Sequence, residues 1–258
     1  MIEQFKKFIS IRKDDTMYQR QTQWDKIKDG PYITYLFLSI QIIVFLLMEF
    51  QGIRQGIFSG SENGAILQQF GAMVAGDVIY NHEFWRFVTP IFIHIGLVHL
   101  AVNSLTLFLA GRLLEPLIGH TRFFILYLLS GIMGNLVSFA FSSPLSISAG
   151  ASTSLFGLFA AFIVLGRLFP NQPIIRQVSR NMLLLIVLNL GMNVFSSGVD
   201  ILGHIGGVIG GVLLMVIVGV PKNIRHYQEK MNPHIRILAG IIFVFVTVFC
   251  LFYGFKFK

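Results

Sequence analysis

Serine, histidine and asparagine stand at the ends of three apolar runs, where hydrocarbon offers them no partner. The stretch SAGASTSLFG puts Ser148, Ser152, Thr153 and Ser154 at the mouth of a run that stays apolar to Phe169. The run IFIHIGLVHLAVNSL carries His94, His99 and Asn103, and VDILGHIGGVIGG carries Asp200 and His204. Polar groups inside membrane spans are costly and are the first place to look for function. His99 and Asn103 are four apart and share one helix face. The step from His94 to His99 is about 500° of helical rotation, which points His94 away from that face. The chemistry open to this set is nucleophilic. A serine hydroxyl attacks a carbonyl only when a base takes its proton, and a neutral imidazole of pKa about 6.5 suits that task. Donors from Asn103 and His99 can hold the charge that develops on the carbonyl oxygen.

Each piece also has a plainer reading. A hydroxyl in a membrane helix often bonds its own helix or a neighbour. Asp200 has the type and position of a helix N-cap. His82, His94 and His120 read as interfacial or structural, and Gly131 and Gly134 as packing residues. His99 and His204 are also a possible axial pair for haem, and polar groups in spans can line a transporter. A haem site accounts for neither the Gly-Ala-Ser turn nor Asn103. The polar groups gather near one surface rather than at the midplane, which disfavours a transporter.

The elements that must position these residues are membrane helices. The chain has 258 residues, 54% hydrophobic and only 12% charged, against about 25% charge in a soluble domain. Seven runs are long enough to span, near 32–50, 91–110, 123–141, 151–169, 181–197, 200–220 and 236–255. Without water in the hydrocarbon each must satisfy its own backbone, so the expected class is an all-α polytopic membrane protein. The fifth run is the weakest, interrupted by Asn189, Asn193 and glycine. Sixteen of the 20 Lys and Arg fall on one side of these spans. That asymmetry predicts a cytoplasmic N-terminus and an outer C-terminus. It also explains the net charge of +8 without nucleic acid as a partner. Residues 1–30 have no apolar signal-peptide core, so the first span is expected to direct insertion. The long outer loop 51–90 carries apolar residues and the pair Trp85-Arg86, and reads as partly embedded with a snorkelling cation. The lone Cys250 can form no internal disulfide and reads as a packing or lipid-facing residue.

The glycines predict which spans approach. Gly203, Gly207 and Gly211 recur every four residues, as do Gly206 and Gly210, and Gly157 with Ala161 forms a matching small pair. Since Gly203 and Gly207 flank His204, the closest helix contact should lie beside the imidazole.

With those motifs in view, the chain resembles rhomboid intramembrane serine proteases. GAST followed by SLFG is similar to the family's serine element, His204-Ile205-Gly206-Gly207 to its histidine element, His94 and His99-x-x-x-Asn103 to its second-span motif, and Trp85-Arg86 to its first-loop motif. The resemblance covers about residues 30–220. It implies Ser152 as nucleophile and His204 as base, a dyad in which Asp200 has no catalytic role. It implies His99, Asn103 and the Ser152 N–H as the oxyanion hole, and no cofactor or metal. Thr153 and Gly203 depart from the commoner Gly and Ala at those places. The implied organisation is a cytoplasmic tail (1–30), a six-helix catalytic core (31–220), and a loop plus a seventh transmembrane helix (221–258), the 6+1 variety. The implied activity is cleavage of transmembrane protein substrates near the outer face of the cell membrane. An inactive relative that only binds membrane helices is the alternative.

Overall fold

The computed structural model describes residues 30–193, 198–221 and 232–257. The predicted tail, the basic segment 222–231 and the predicted end of the fifth span lie outside the described residues. Helices follow the apolar runs because only a helix closes its backbone bonds within one segment. They are α1 (Tyr32–Arg54), α2 (Gly64–Phe70), α3 (Ala75–Tyr80), α4 (Gly96–Ile118), α5 (His120–Phe141), α6 (Ser152–Leu168), α7 (Pro173–Asn193), α8 (Ile201–Val218) and α9 (Pro233–Phe257). Six of them, α1, α4, α5, α7, α8 and α9, are long and apolar enough to cross a membrane, and the shorter α6 is also apolar. The protein is thus an all-α polytopic bundle, a six-helix core with one further C-terminal span.

Layering is read from how much of each span the other helices cover. In α5, 72% of the most apolar stretch is buried inside the protein, against 11% in α9, so α5 is central and α9 peripheral. The two glycine stripes of α8 meet different neighbours. A methyl group at Gly207 or Gly211 would overlap the carbonyl oxygens of Thr153 and Gly157 on α6. One at Gly206 or Gly210 would press on Gly134, Val137, Ser130 and Met133 of α5. Backbone-to-backbone approach of this kind is the way membrane helices gain dispersion contact without a hydrophobic driving force. The outward faces of α1, α7 and α9 expose Leu46, Leu184 and Phe245, as lipid contact requires.

Two boundaries differ from the sequence expectation, for local reasons. The second span begins at Gly96, not near 91: residues 89–92 form a short 3-10 turn, Ile93 is extended, and Gly96 has a positive φ of 78°. His94 therefore lies on no helix, and the helical-rotation argument does not apply to it. The fifth span starts earlier, at Pro173, because 173–180 are amphipathic: Ile175 and Val178 are buried while Arg176 and Arg180 are exposed.

Two buried ionic knots fix the ends of the bundle. Glu115, fully buried on α4, accepts hydrogen bonds from Ile33 N (2.9 Å), Thr34 N (2.8 Å) and Thr34 Oγ1 (2.6 Å), and pairs with His120 Nδ1 (2.6 Å). It thereby caps the first turn of α1, whose amide groups have no helical partner. In the loop between α1 and α4, Arg86 is only 4% exposed. Its guanidinium bonds the carbonyls of Ala72 (2.6 Å) and Gln68 (3.0 Å), Asp77 (2.9 Å) and Glu83. The expected snorkelling cation is instead the hub of the loop, because five fixed donors are best met by converging carbonyls and carboxylates.

Candidate active site

Ser152 opens α6, and the turn before it is shaped by one glycine. Gly150 has φ 139°, and a methyl group there would lie 2.8 Å from His99 Cε1, 2.9 Å from His99 Nε2 and 3.5 Å from Asn103 Nδ2. Only glycine lets those two side chains reach the backbone beside the serine. The turn is held by Gly150 N to Pro90 O (2.9 Å) and Ala151 N to His94 Nε2 (3.4 Å), and Ser148 pairs with Met73 through two backbone bonds. His94, fully buried, packs its ring 5.3 Å from that of His99. The sequence reading turned it away from this face. It is instead a brace between the Gly-Ala-Ser turn and α4.

His204 lies in the first turn of α8, and Nε2 is 2.8 Å from Ser152 Oγ. Its ring stacks on Phe156 at 4.3 Å and 13°. Phe156 is one turn beyond Ser152, on the same face of α6, so one helix supplies both the hydroxyl at the ring's edge and the platform beneath its plane. Nδ1 is 3.0 Å from the side-chain amide of Asn193, the last residue of α7. Asp200 caps α8, accepting from Gly203 N at 2.8 Å, the local role read from its type and place.

The three hydroxyls after Gly150 part company. Ser154 is fully buried with Oγ against Gly131 of α5, and Thr153 packs on Gly134 and Gly203. Among the described residues neither hydroxyl has a hydrogen-bond partner. Ser152 alone meets the imidazole. It also borders a cavity of about 580 Å³ shared with His99, Asn103, Asn189, Asn193 and His204, with apolar walls from Val102, Leu155, Phe159 and Leu185. The Nδ2 of Asn103 is buried and has no hydrogen-bond partner among the described residues.

Sequence reasoning singled out Ser152, His204, His99 and Asn103, and the four border this one cavity. It missed the roles of Phe156 and Asn193. The i, i+4 spacing from Ser152 was the available signal for Phe156. Asn193 was read only as a break in a weak span. Its partner Asn189, also one turn away, bonds Leu185 O at 2.8 Å and faces the same cavity. What read as weakness is a polar stripe.

A helical membrane bundle with a serine–histidine contact in a cavity at one end of its spans is the class these features define. Comparison with known proteins gives it a family. A family model for the rhomboid domain matches residues 81–221. The chain is similar to rhomboid protease GluP of Bacillus subtilis (strain 168), 37% identical over 237 residues, which is 92% of this chain and 43% of that protein. It is 31% identical over 192 residues to putative rhomboid protease YdcA of the same organism, covering 74% of this chain and 95% of that one. RHOMBOID-like protein 1 of Arabidopsis thaliana is 34% identical over 170 residues, 65% of this chain and 43% of that entire protein. The chain belongs to the rhomboid family. It spans less than half the length of the first and third of these relatives and nearly all of the second.

Proposed function

We propose that the protein is an intramembrane serine endopeptidase that cleaves transmembrane segments of other proteins near the outer face of the cell membrane. The observation that carries this reading is the 2.8 Å contact between Ser152 Oγ and His204 Nε2 at the edge of the cavity. His204 takes the proton as Ser152 Oγ bonds to the scissile carbonyl carbon. The resulting oxyanion is met by Asn103 Nδ2, His99 and the Ser152 N–H. A buried amide with no partner of its own suits this role, because it has no ground-state bond to break. His204 then delivers the proton to the leaving amine, and water hydrolyses the acyl-enzyme by the same path in reverse.

For Nε2 to act as base, the ring hydrogen must sit on Nδ1. Asn193 serves that tautomer when its carboxamide presents Oδ1 to Nδ1, since the two ends of an amide are interchangeable by rotation. Both ring nitrogens of His204 thus have protein partners, unlike a haem ligand, which must offer a free nitrogen.

On this reading residues 31–220 are the catalytic core, 1–30 a cytoplasmic tail, and 221–258 a loop and a seventh span ending outside. The placement of the basic residues along the sequence supports this orientation.

The test is reaction of the full chain in vesicles with a fluorophosphonate, mapping of the labelled residue, and cleavage of a single-span reporter. Labelling at Ser152, with cleavage abolished in Ser152→Ala, is the expected result. Labelling at Ser154, or cleavage that survives Ser152→Ala, overturns the site. Absence of both labelling and cleavage in the parent protein returns the inactive helix-binding alternative.

A further inference from the structure

A second cavity of about 690 Å³ lies between α6 and α7, lined by Arg167 near the end of α6 and by Arg176 and Arg180 near the start of α7. It is therefore at the end of the bundle opposite Ser152. Three like charges on one cavity repel, and among the described residues no carboxylate forms an ion pair with any of them. The positive-inside rule accounts for basic residues on this side but not for their convergence from two helices on one concavity. The lining changes character with depth. Ile163 is one turn, about 6 Å, further into the bilayer than Arg167, and Leu183 about 4.5 Å further than Arg180. The floor is fixed by a close approach, since a methyl group at Gly166 would overlap Ser179 Oγ on α7.

We propose that this groove binds one anionic phospholipid, with its phosphate among Arg167, Arg176 and Arg180 and an acyl chain along Ile163 and Leu183. Guanidinium forks match phosphate oxygens, and cations beside the cytoplasmic leaflet attract anionic lipid. The apolar depth selects a lipid over free phosphate, which would leave Ile163 and Leu183 uncovered. The proposal does not depend on the reaction assigned to Ser152. It does link the two ends of the molecule, because α7 packs chiefly on α6 and carries Asn189 and Asn193 into the catalytic cavity.

The test is native mass spectrometry of the full chain extracted from vesicles of equal parts phosphatidylcholine and phosphatidylglycerol. One retained phosphatidylglycerol per protein is expected, with each of Arg167→Gln, Arg176→Gln and Arg180→Gln lowering retention about fivefold. Arg112→Gln is the control: it lies near the same end of the bundle, with its guanidinium over Phe108, and its retention should be unchanged. Equal loss in the control, or no loss in the three single variants, overturns the groove. Displacement of the lipid by millimolar inorganic phosphate overturns the lipid assignment. If a variant unfolds, judged by its thermal transition in detergent, the other two singles decide.

Discussion

Two buried polar clusters sit at opposite ends of this bundle, and they are built on opposite principles. Around Glu115 each carboxylate oxygen has two partners: Ile33 N and His120 Nδ1 on Oε1, and the amide and hydroxyl of Thr34 on Oε2. Around Ser152 the matching is deliberately incomplete. Among the described residues, Asn103 Nδ2 and one carboxylate oxygen of Asp200 are buried without hydrogen-bond partners. Unsatisfied buried groups each cost about 1–3 kcal/mol, so the first cluster stabilises and the second draws on stability. A site that must bind charge only during a reaction has to keep donors unspent beforehand. The cluster around Glu115 is the kind of network that holds a fold, and the cluster around Ser152 is the kind that the proposed reaction needs.

The comparison breaks if substitutions at the two ends have the same consequence. The largest effect is expected for His204→Ala. Without the base, cleavage of a membrane reporter should fall about 10⁴-fold or more, while the thermal transition in detergent should move little. A variant that cleaves within tenfold of the parent would remove His204 from the chemistry. Next is Asn103→Ala, expected to lower kcat about 10²–10³-fold with little change in KM. Its stability should hold or rise, since an unsatisfied amide is removed. A fall in stability with unchanged kcat would assign Asn103 to the fold and dissolve the contrast.

Glu115→Ala is the converse experiment. It strips the cap from α1 and leaves Thr34 and the two amides buried without an acceptor, so unfolding should become easier by about 3 kcal/mol. The molecules that remain folded should react with fluorophosphonate at the parent rate. Slower labelling in that folded fraction would show that the Glu115 cluster also sets the geometry around Ser152.

What could be read from sequence divides along the same line. The spans were legible because hydropathy is additive and needs no partner. The cavity residues were legible because polar groups in apolar runs stand out one by one. Glu115 was not singled out, since a carboxylate near Arg112 and Pro116 looks like the start of a polar loop. Only the return of Thr34 from another helix makes it core. His94 was misplaced because the argument assumed helix from residue 91 onward, whereas the helix starts only at Gly96, and the positive φ there leaves only a single glycine as its mark in the sequence. The glycine stripes of α8 were readable as contact faces, yet the assignment of one stripe to α6 and the other to α5 needed the packing itself. Even the serine choice, Ser152 over Ser154, came from a resemblance. The packing of Ser154 on Gly131 gives it a physical reason.

Asn193 tests the contrast at its finest grain, because it belongs to the cluster around Ser152 but is not itself unsatisfied. Its amide meets His204 Nδ1 at 3.0 Å, so its worth lies in fixing a tautomer and a ring angle. Phe156 already holds the ring from below, and the loss on removing Asn193 should therefore be partial. Asn193→Leu should lower kcat about tenfold, one hydrogen bond to the ring being worth roughly 1–1.5 kcal/mol. KM should stay unchanged and the fluorophosphonate rate should fall in parallel. Asn193→Asp keeps an acceptor at the same distance from Nδ1 and should restore the rate to within about threefold, a difference of less than 1 kcal/mol. A merely structural residue would respond in the opposite way. The apolar leucine would then be tolerated on α7, and a carboxylate beside lipid would be the more damaging change. If Asn193→Asp is the slower variant, the amide packs the end of α7, and the imidazole is positioned by Ser152 and Phe156 alone.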